Sequence, residues 1–440
     1  RRGIAWMACA GFLLGLVFLT KAEVFFASFL AAGFGMGLAS WSDEDPRRRW
    51  LAVGAFMVTA IIPPVVAFVL LRSILPTHDV LLAMAGSWRW LGDQRLLNLR
   101  YFRLINGTDH LGQSLLTTAL WTVGYVVTFI LVFAIGMRLR RPALKRPEIV
   151  IISSLIAGLV LWFFWMRVWE NFLRPMQFLV AGGGIHLLWR LARERRDRSA
   201  LAGLALPMML VVFSGTLLTK IIWNVRAVHY GFALALPATV LVVNTIVYFG
   251  ARLAESRGGS PNFVRGVWAA LILVGCYAHG RVDYEYFKRK DYVVSSGGDA
   301  FLADIRGKMI NEAAEYLMTN TRPDQTVLAM PEGFLLNYLA RRVNPTIYHQ
   351  FTPPNLIMYG EDNMLAELQK HPPDIIALVH VDNIEYDARF LGKNYGLKIW
   401  DWVFANYQPM LKSNGQTALF GYPPFVDQHS GVLLVERKKN

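Results

Sequence analysis

The chain has 440 residues, 54% of them hydrophobic and only 17% charged, and a formal net charge of +14. Soluble domains carry about 25% charge and about 45–50% apolar residues, so an ordinary water-soluble globule is excluded. The basic residues fall in short loops between apolar runs, which makes them a membrane-orientation signal and argues against a nucleic-acid surface. Cys9 and Cys276 both lie in apolar runs, and no Cys-x-x-Cys or Cys/His spacing supports a disulfide or a zinc site. The sequence starts Arg1-Arg2 with no signal peptide ahead of its first run, and is read as lacking an N-terminal part of the natural protein.

Apolar runs of roughly 17–24 residues can each cross a hydrocarbon core of roughly 30 Å as a helix. In chain order they are Gly3–Leu19, Val24–Trp41, Trp50–Leu71, Ser114–Met137, Ile149–Met166, Pro175–Leu191, Leu201–Ile221, Val228–Gly250 and Phe263–His279. The first two are separated only by Thr20-Lys21-Ala22-Glu23, which reads as a tight turn. Pro63-Pro64 is expected to kink the third span, and Gly182-Gly183-Gly184 to permit close helix approach in the sixth. With Arg1-Arg2 placed inside, Arg47–Arg49, Arg138–Arg146, Arg190–Arg198 and Arg252–Arg265 all fall on the same face. The opposite face receives the Lys21 turn, the segment Arg72–Gln113, the turns Arg167–Arg174 and Lys220–His229, and everything after His279. The segment Arg72–Gln113 reads as interfacial or re-entrant. Its Asn106-Gly107-Thr108 matches a glycosylation sequon, a weak signal.

Beyond Arg281 the charge rises and the apolar runs shorten. Helical spacing over Phe301–Asn320 puts Ile305, Met309, Ala313 and Leu317 on one stripe. Thr326–Met330 and Asp374–His380 read as buried strands, Phe334–Arg341 and Asn363–His371 as helices, and Thr417–Gly421 and Gly431–Glu436 as later strands. The fold class is thus a polytopic α-helical membrane protein of about nine transmembrane helices over residues 1–280, followed by an extracytoplasmic α/β domain over residues 281–440. No phosphate-binding glycine pattern opens a helix in that domain.

Ionisable residues at the ends of spans are costly and usually have a partner or a task. Three turns on one face carry them: Lys21 and Glu23; Arg167, Glu170, Asn171 and Arg174; and Lys220, Arg226, His229 and Tyr230. If the turns converge, they form a mostly cationic pocket at headgroup level. Arginine offers a fork to phosphate oxygens and lysine a point charge, so the chemistry suits a lipid-borne phosphate. Trp169, Trp223 and Tyr230 would line the route of an isoprenoid tail. Snorkelling and interfacial anchoring are the structural alternative for each of these residues. Glu23 and Glu170 are the acidic residues of these turns. Each is a weak candidate for a general base, with a salt bridge to Lys21 or Arg174 as the alternative.

Gly15-Leu16-Val17-Phe18-Leu19-Thr20-Lys21 resembles the Gly-Leu…Leu-Thr-Lys signature of GT-C fold membrane glycosyltransferases. These are the relatives of dolichyl-phosphate-mannose protein mannosyltransferase and aminoarabinose transferase (glycosyltransferase family 39-like). Tyr230 through Pro237-Ala238 is similar to their late aromatic–Leu-x-Pro-Ala segment. Pro331-Glu332-Gly333, Asn344-Pro345-Thr346 and Pro373-Asp374-Ile375-Ile376 are similar to the outer domain of bacterial members. The resemblance implies transfer of a sugar from a polyprenyl-phosphate donor to a lipid, glycan or protein acceptor on the periplasmic face of a bacterial inner membrane. It implies donor-phosphate binding by Lys21, Arg167, Arg174, Lys220, Arg226, His229 and Tyr230. It places the main catalytic carboxylate in a loop before the Leu-Thr-Lys motif, hence upstream of Arg1. No cofactor and no protein-ligated metal is expected, although the chemistry admits a divalent cation. A transporter or flippase for a lipid-linked or anionic substrate is the alternative class, disfavoured by the lack of an internal repeat.

Overall fold

A computed structural model describes residues 2–42, 45–138, 154, 169–228, 230–426 and 430–438. The expected span Ile149–Met166 lies outside them except for Ser154. The chain divides into two compact units, Arg1–Gly92 with Arg103–Gly280, and Asp93–Phe102 with Arg281–Asn440. The ten residues Asp93–Phe102 thus belong with the C-terminal unit, although they sit between helices of the first.

The first unit is a set of long helices: α1 (Arg2–Phe18), α2 (Ala22–Ser42), α3 (Pro46–Arg72), α4 (Leu111–Arg138), α5 (Met176–Glu194), α6 (Arg198–Leu218), α7 (Tyr230–Thr245) and α8 (Pro261–Phe287). Among the described residues, six helical stretches are long and apolar enough to cross a membrane: Ala22–Ala39, Pro46–Arg72, Arg100–Arg138, Arg198–Ile221, Tyr230–Ser256 and Pro261–Phe287. The protein is therefore a polytopic helical membrane protein. Of the other expected spans, α1 is apolar but shorter, and α5 carries Arg190, Arg193 and Glu194 near its end. Lipid-facing helices should expose apolar side chains, and Val58, Ile61, Val65 and Val69 along α3 are all at least half exposed.

Helices in lipid gain little from apolar burial against one another, so they rely on close backbone approach. α1 packs on α3 in this way. A side chain at Gly11 or Gly15 would run into the backbone of Phe56 or Ala60 on α3, and Thr59 Oγ1 donates to the Ala8 carbonyl at 2.7 Å. Gly15, the first residue of the Gly-Leu…Leu-Thr-Lys run, therefore has a packing role. α3 continues without interruption through Pro63-Pro64, and Pro63 is buried against Gly15. Of the three glycines in α5, Gly184 comes close to another helix, meeting Val211 of α6.

The second unit is a five-stranded sheet with helices on both faces. β3 (Val327–Met330) pairs in parallel with β4 (Ile375–Val379). β4 pairs antiparallel with β7 (Gly431–Arg437), and β5 (Tyr407–Pro409) and β6 (Leu419–Gly421) also pair with β7. Side chains alternate across the sheet. Val327, Ala329, Ile375 and Ala377 join Ala313, Ala314 and Leu317 of α9 (Ile305–Asn320). Leu328, Met330, Ile376 and Leu378 join Met364 and Leu368 of helix Glu361–Lys370 and Ile399 and Val403 of helix Leu397–Asn406. Burial on both faces explains why these strands read as unbroken apolar runs. Residues 301–303, expected in the helix, instead form β2 (Phe301–Ala303), paired with β1 (Tyr292–Val294). Asp304 then caps α9 by accepting from the Arg306 amide.

Glu332 follows β3 in this unit. Burial, with Glu385 nearby, raises its carboxyl above the usual carboxylate range. The folded unit therefore holds that proton more tightly than the unfolded chain does. The resulting contribution is complete below the ordinary glutamate pKa and is lost as pH rises through the raised value. Glu332→Gln is expected to stabilise this unit at neutral pH and to flatten that part of its stability–pH profile, read by hydrogen exchange across β3 and β4. Identical profiles for both proteins would contradict the assignment.

Candidate functional site: a cationic cluster at the helix ends

The turns singled out in the sequence converge in the first unit. The segment 219–230 is the hinge of the arrangement. It starts with a turn of tight helix at Thr219–Ile221, runs through an irregular stretch and enters α7 at Tyr230. At its start, Lys220 forms an ion pair with Glu23, which lies in the first turn of α2. At its end, the Tyr230 ring meets two ammonium groups, with Lys21 Nζ at 4.9 Å and Lys220 Nζ at 5.2 Å from its centroid. Each geometry is that of a cation over an aromatic face. Glu23 thus pairs with Lys220, where the sequence reading offered Lys21 or Arg174.

The middle of the segment meets the turn 169–175. Arg174 is buried, donating from Nη1 to the Trp223 carbonyl at 2.8 Å and from Nε to Asn171 Oδ1 at 3.0 Å. Glu170 sits 3.9 Å from Arg226, and its carbonyl accepts from the Ala227 amide. Tyr125 of α4 donates to the Phe172 carbonyl at 2.8 Å and fixes this turn to the bundle. Burial lowers the Arg174 guanidinium to about 10, with Arg226 adding to the effect and Asp109 opposing it. It stays charged at neutral pH, so two like charges share a poorly hydrated site.

A third strand of chain completes the cluster. The Trp223 amide donates to the Asn106 carbonyl at 3.0 Å, and Asn224 Nδ2 donates to the Leu104 carbonyl. Gly107 has φ of +85°, and a side chain there would strike the Trp223 backbone, so only glycine fits. The Asn106-Gly107 pair is therefore a turn that receives Trp223. Its asparagine is half-buried with Oδ1 enclosed, a poor glycosylation acceptor.

Several polar atoms here are enclosed with no hydrogen-bond partner among the described residues: Arg226 Nε, Asn106 Oδ1, Asn224 Oδ1 and both amide atoms of Gln177. Gln177 stands in the first turn of α5, one turn beyond Arg174. Native interiors rarely leave such groups unpaired, since each costs about 1–3 kcal/mol. Their clustering around two arginines marks the place where a polar ligand or ordered water would gain most. Sequence reasoning missed Asn106, Asn224 and Gln177 as functional candidates, because an uncharged carboxamide beside an apolar run carries no pattern of its own.

Of the donor-binding candidates, Lys21, Arg174, Lys220, Arg226 and Tyr230 are thus brought together. Arg167 and His229 lie outside the described residues, as does the side chain of Trp169. Among the described residues, no group of three or more His, Cys, Asp or Glu side chains is placed to hold a metal ion. Elsewhere, His380 of the second unit is committed to structure. Its Nδ1 faces the Phe425 amide at 3.2 Å and its Nε2 the Val426 carbonyl at 2.5 Å. No protein-family model, curated protein or solved structure matches the chain.

Proposed function

We propose that the protein is an integral-membrane glycosyltransferase that takes a sugar from a polyprenyl-phosphate donor, and that the cluster around Arg174 and Arg226 binds the donor phosphate. The observation that carries this reading is the guanidinium of Arg226. Among the described residues its Nε is buried with no hydrogen-bond partner, the Glu170 carboxylate is 3.9 Å away, and a second arginine lies beside it. A phosphate oxygen would satisfy the free N–H and offset the repulsion between the two cations. Sugar transfer builds negative charge on the departing phosphate, and fixed cations in a poorly hydrated site lower the barrier to that step. Lys220 and Lys21, flanking Tyr230, extend the positive field along one wall. Tyr230 and Trp223 offer apolar surface for the first isoprene units. Glu23 and Glu170 are held by Lys220 and Arg226. An incoming phosphate competes for those cations and leaves either carboxylate freer to accept a proton from an acceptor hydroxyl. The acceptor would be a lipid, glycan or protein at the periplasmic face of a bacterial inner membrane, in keeping with the resemblance.

Proteoliposomes containing the protein, supplied with labelled polyprenyl-phosphate sugar and candidate acceptors, are expected to release polyprenyl phosphate only when an acceptor is present. Movement of the intact lipid-linked donor or an anionic solute across the bilayer, with no loss of sugar from the donor, would support the transporter class instead.

A further inference from the structure

Helix α8 has 27 residues and is therefore about 40 Å long. A hydrocarbon core is about 30 Å thick, and about 40–45 Å with its headgroup layers, so an α8 that crosses the bilayer ends at headgroup depth. Its last turns are built for that depth. Tyr284, Tyr286 and Phe287 are all more than half exposed, with Lys288 and Arg289 lying over the two tyrosine rings. Only four residues separate Phe287 from Tyr292, the first residue of β1, so the β1–β2 hairpin starts within about 17 Å of the helix end.

The hairpin has one closed and one open face. Val294 is fully buried, and Ala303 packs against the same core. A side chain at Gly307 of α9 would collide with Ala303 and Val294, so that glycine lets the hairpin lie flat on the helix. On the other face Val293 and Leu302 are register partners, 63% and 46% exposed, whereas Phe301 pairs with Val294 on the closed face. A two-stranded ribbon would ordinarily turn polar residues to water. The surrounding charge is asymmetric. Residues 288–308 include five cations (Lys288, Arg289, Lys290, Arg306 and Lys308) and three carboxylates. Asp299 pairs with Arg341 and Asp304 with Arg306, while Lys288 pairs with Glu285 and Lys308 with Glu312, so the local cationic excess rests on Arg289 and Lys290.

From these observations we infer that the open face of the β1–β2 hairpin, Val293 and Leu302, rests on the anionic headgroup layer of the membrane that α8 enters. The apolar side chains insert shallowly, and Arg289 and Lys290 pair with lipid phosphates. The surface is independent of the proposed phosphate site, and its test does not require activity.

The test uses the whole chain with Cys9 and Cys276 replaced by serine, so that Leu302→Cys carries a single environment-sensitive fluorophore. Gln369→Cys is the control. It is exposed, and its helix covers the sheet face opposite to the one that α9 and the hairpin cover. In nanodiscs containing anionic lipid, the label at 302 is expected to lose roughly two-fold in quenching by aqueous iodide and to be quenched by headgroup-level spin-labelled lipid. The label at 369 should show neither effect, and purely zwitterionic lipid should weaken the protection at 302. Equal iodide access at the two positions would overturn the inference. Protection at 302 that persists in detergent and grows with protein concentration would also overturn it, because a second copy would then cover the face.

Discussion

Arg226→Ala is expected to weaken binding of a polyprenyl-phosphate donor roughly 10- to 100-fold, from the loss of one charge-assisted interaction with an anionic oxygen. Arg226 is the best probe of the cluster because, among the described residues, its side chain makes one distant pairing with Glu170 and its Nε has no partner. Arg174 is a poorer probe, since it also holds the Trp223 carbonyl and Asn171. The effect should fall on the donor and spare the acceptor, and Arg226→Lys should restore only part of it, because a point charge does not reproduce the fork. Donor binding should also weaken with added salt, as expected for a partly exposed pair of charges. Titration of donor and acceptor separately checks this. Equal losses toward both would mean that Arg226 maintains the fold of the turn and does not bind phosphate.

The second large effect concerns stability. Arg342→Met is expected to cost the C-terminal unit about 2–4 kcal/mol. Arg342 is buried, and its guanidinium donates to the carbonyls of Ala340, Leu317 and Thr321 and to Thr321 Oγ1. Those acceptors lie at the C-terminal ends of α9 and of the helix Leu335–Ala340, where helices leave carbonyls without intrahelical partners. Methionine fills much of the volume and satisfies none of them. Hydrogen exchange should show the loss in α9 and β3, with the long apolar helices unaffected. An unchanged exchange rate there would show that water replaces the guanidinium at little cost.

How far the sequence could be read depended on how local each determinant is. β3, β4 and β7 were legible because burial on both faces leaves an uninterrupted apolar run. α9 was legible from the Met309, Ala313 and Leu317 stripe, but its start was placed at Phe301. The capping geometry of Asp304 marks the true start, and an aspartate three residues after Phe301 was the available signal. The six apolar stretches follow from composition, while α5 matches the length of a span and not its polarity. The cluster was legible as three charged turns, because charge at the end of a span is unusual whatever it contacts. Its pairings were not legible. Glu23 and Lys220 are 197 positions apart, and Arg174 meets a backbone carbonyl of Trp223, which no side-chain pattern announces. Gly107 was visible only as part of a sequon. The need for glycine arises from the approach of Trp223, a contact set by tertiary structure.

The central claim is that the cluster selects a phosphate on a lipid, and one comparison tests it most directly. The purified protein in nanodiscs of neutral lipid is titrated with a polyprenyl monophosphate and with the matching polyprenol, which has the same tail and no charge. Binding of the phosphate in clear preference to the alcohol, with the preference lost in Arg226→Ala, is the predicted result. Equal binding of the two lipids, or a preference that survives the substitution, would contradict it.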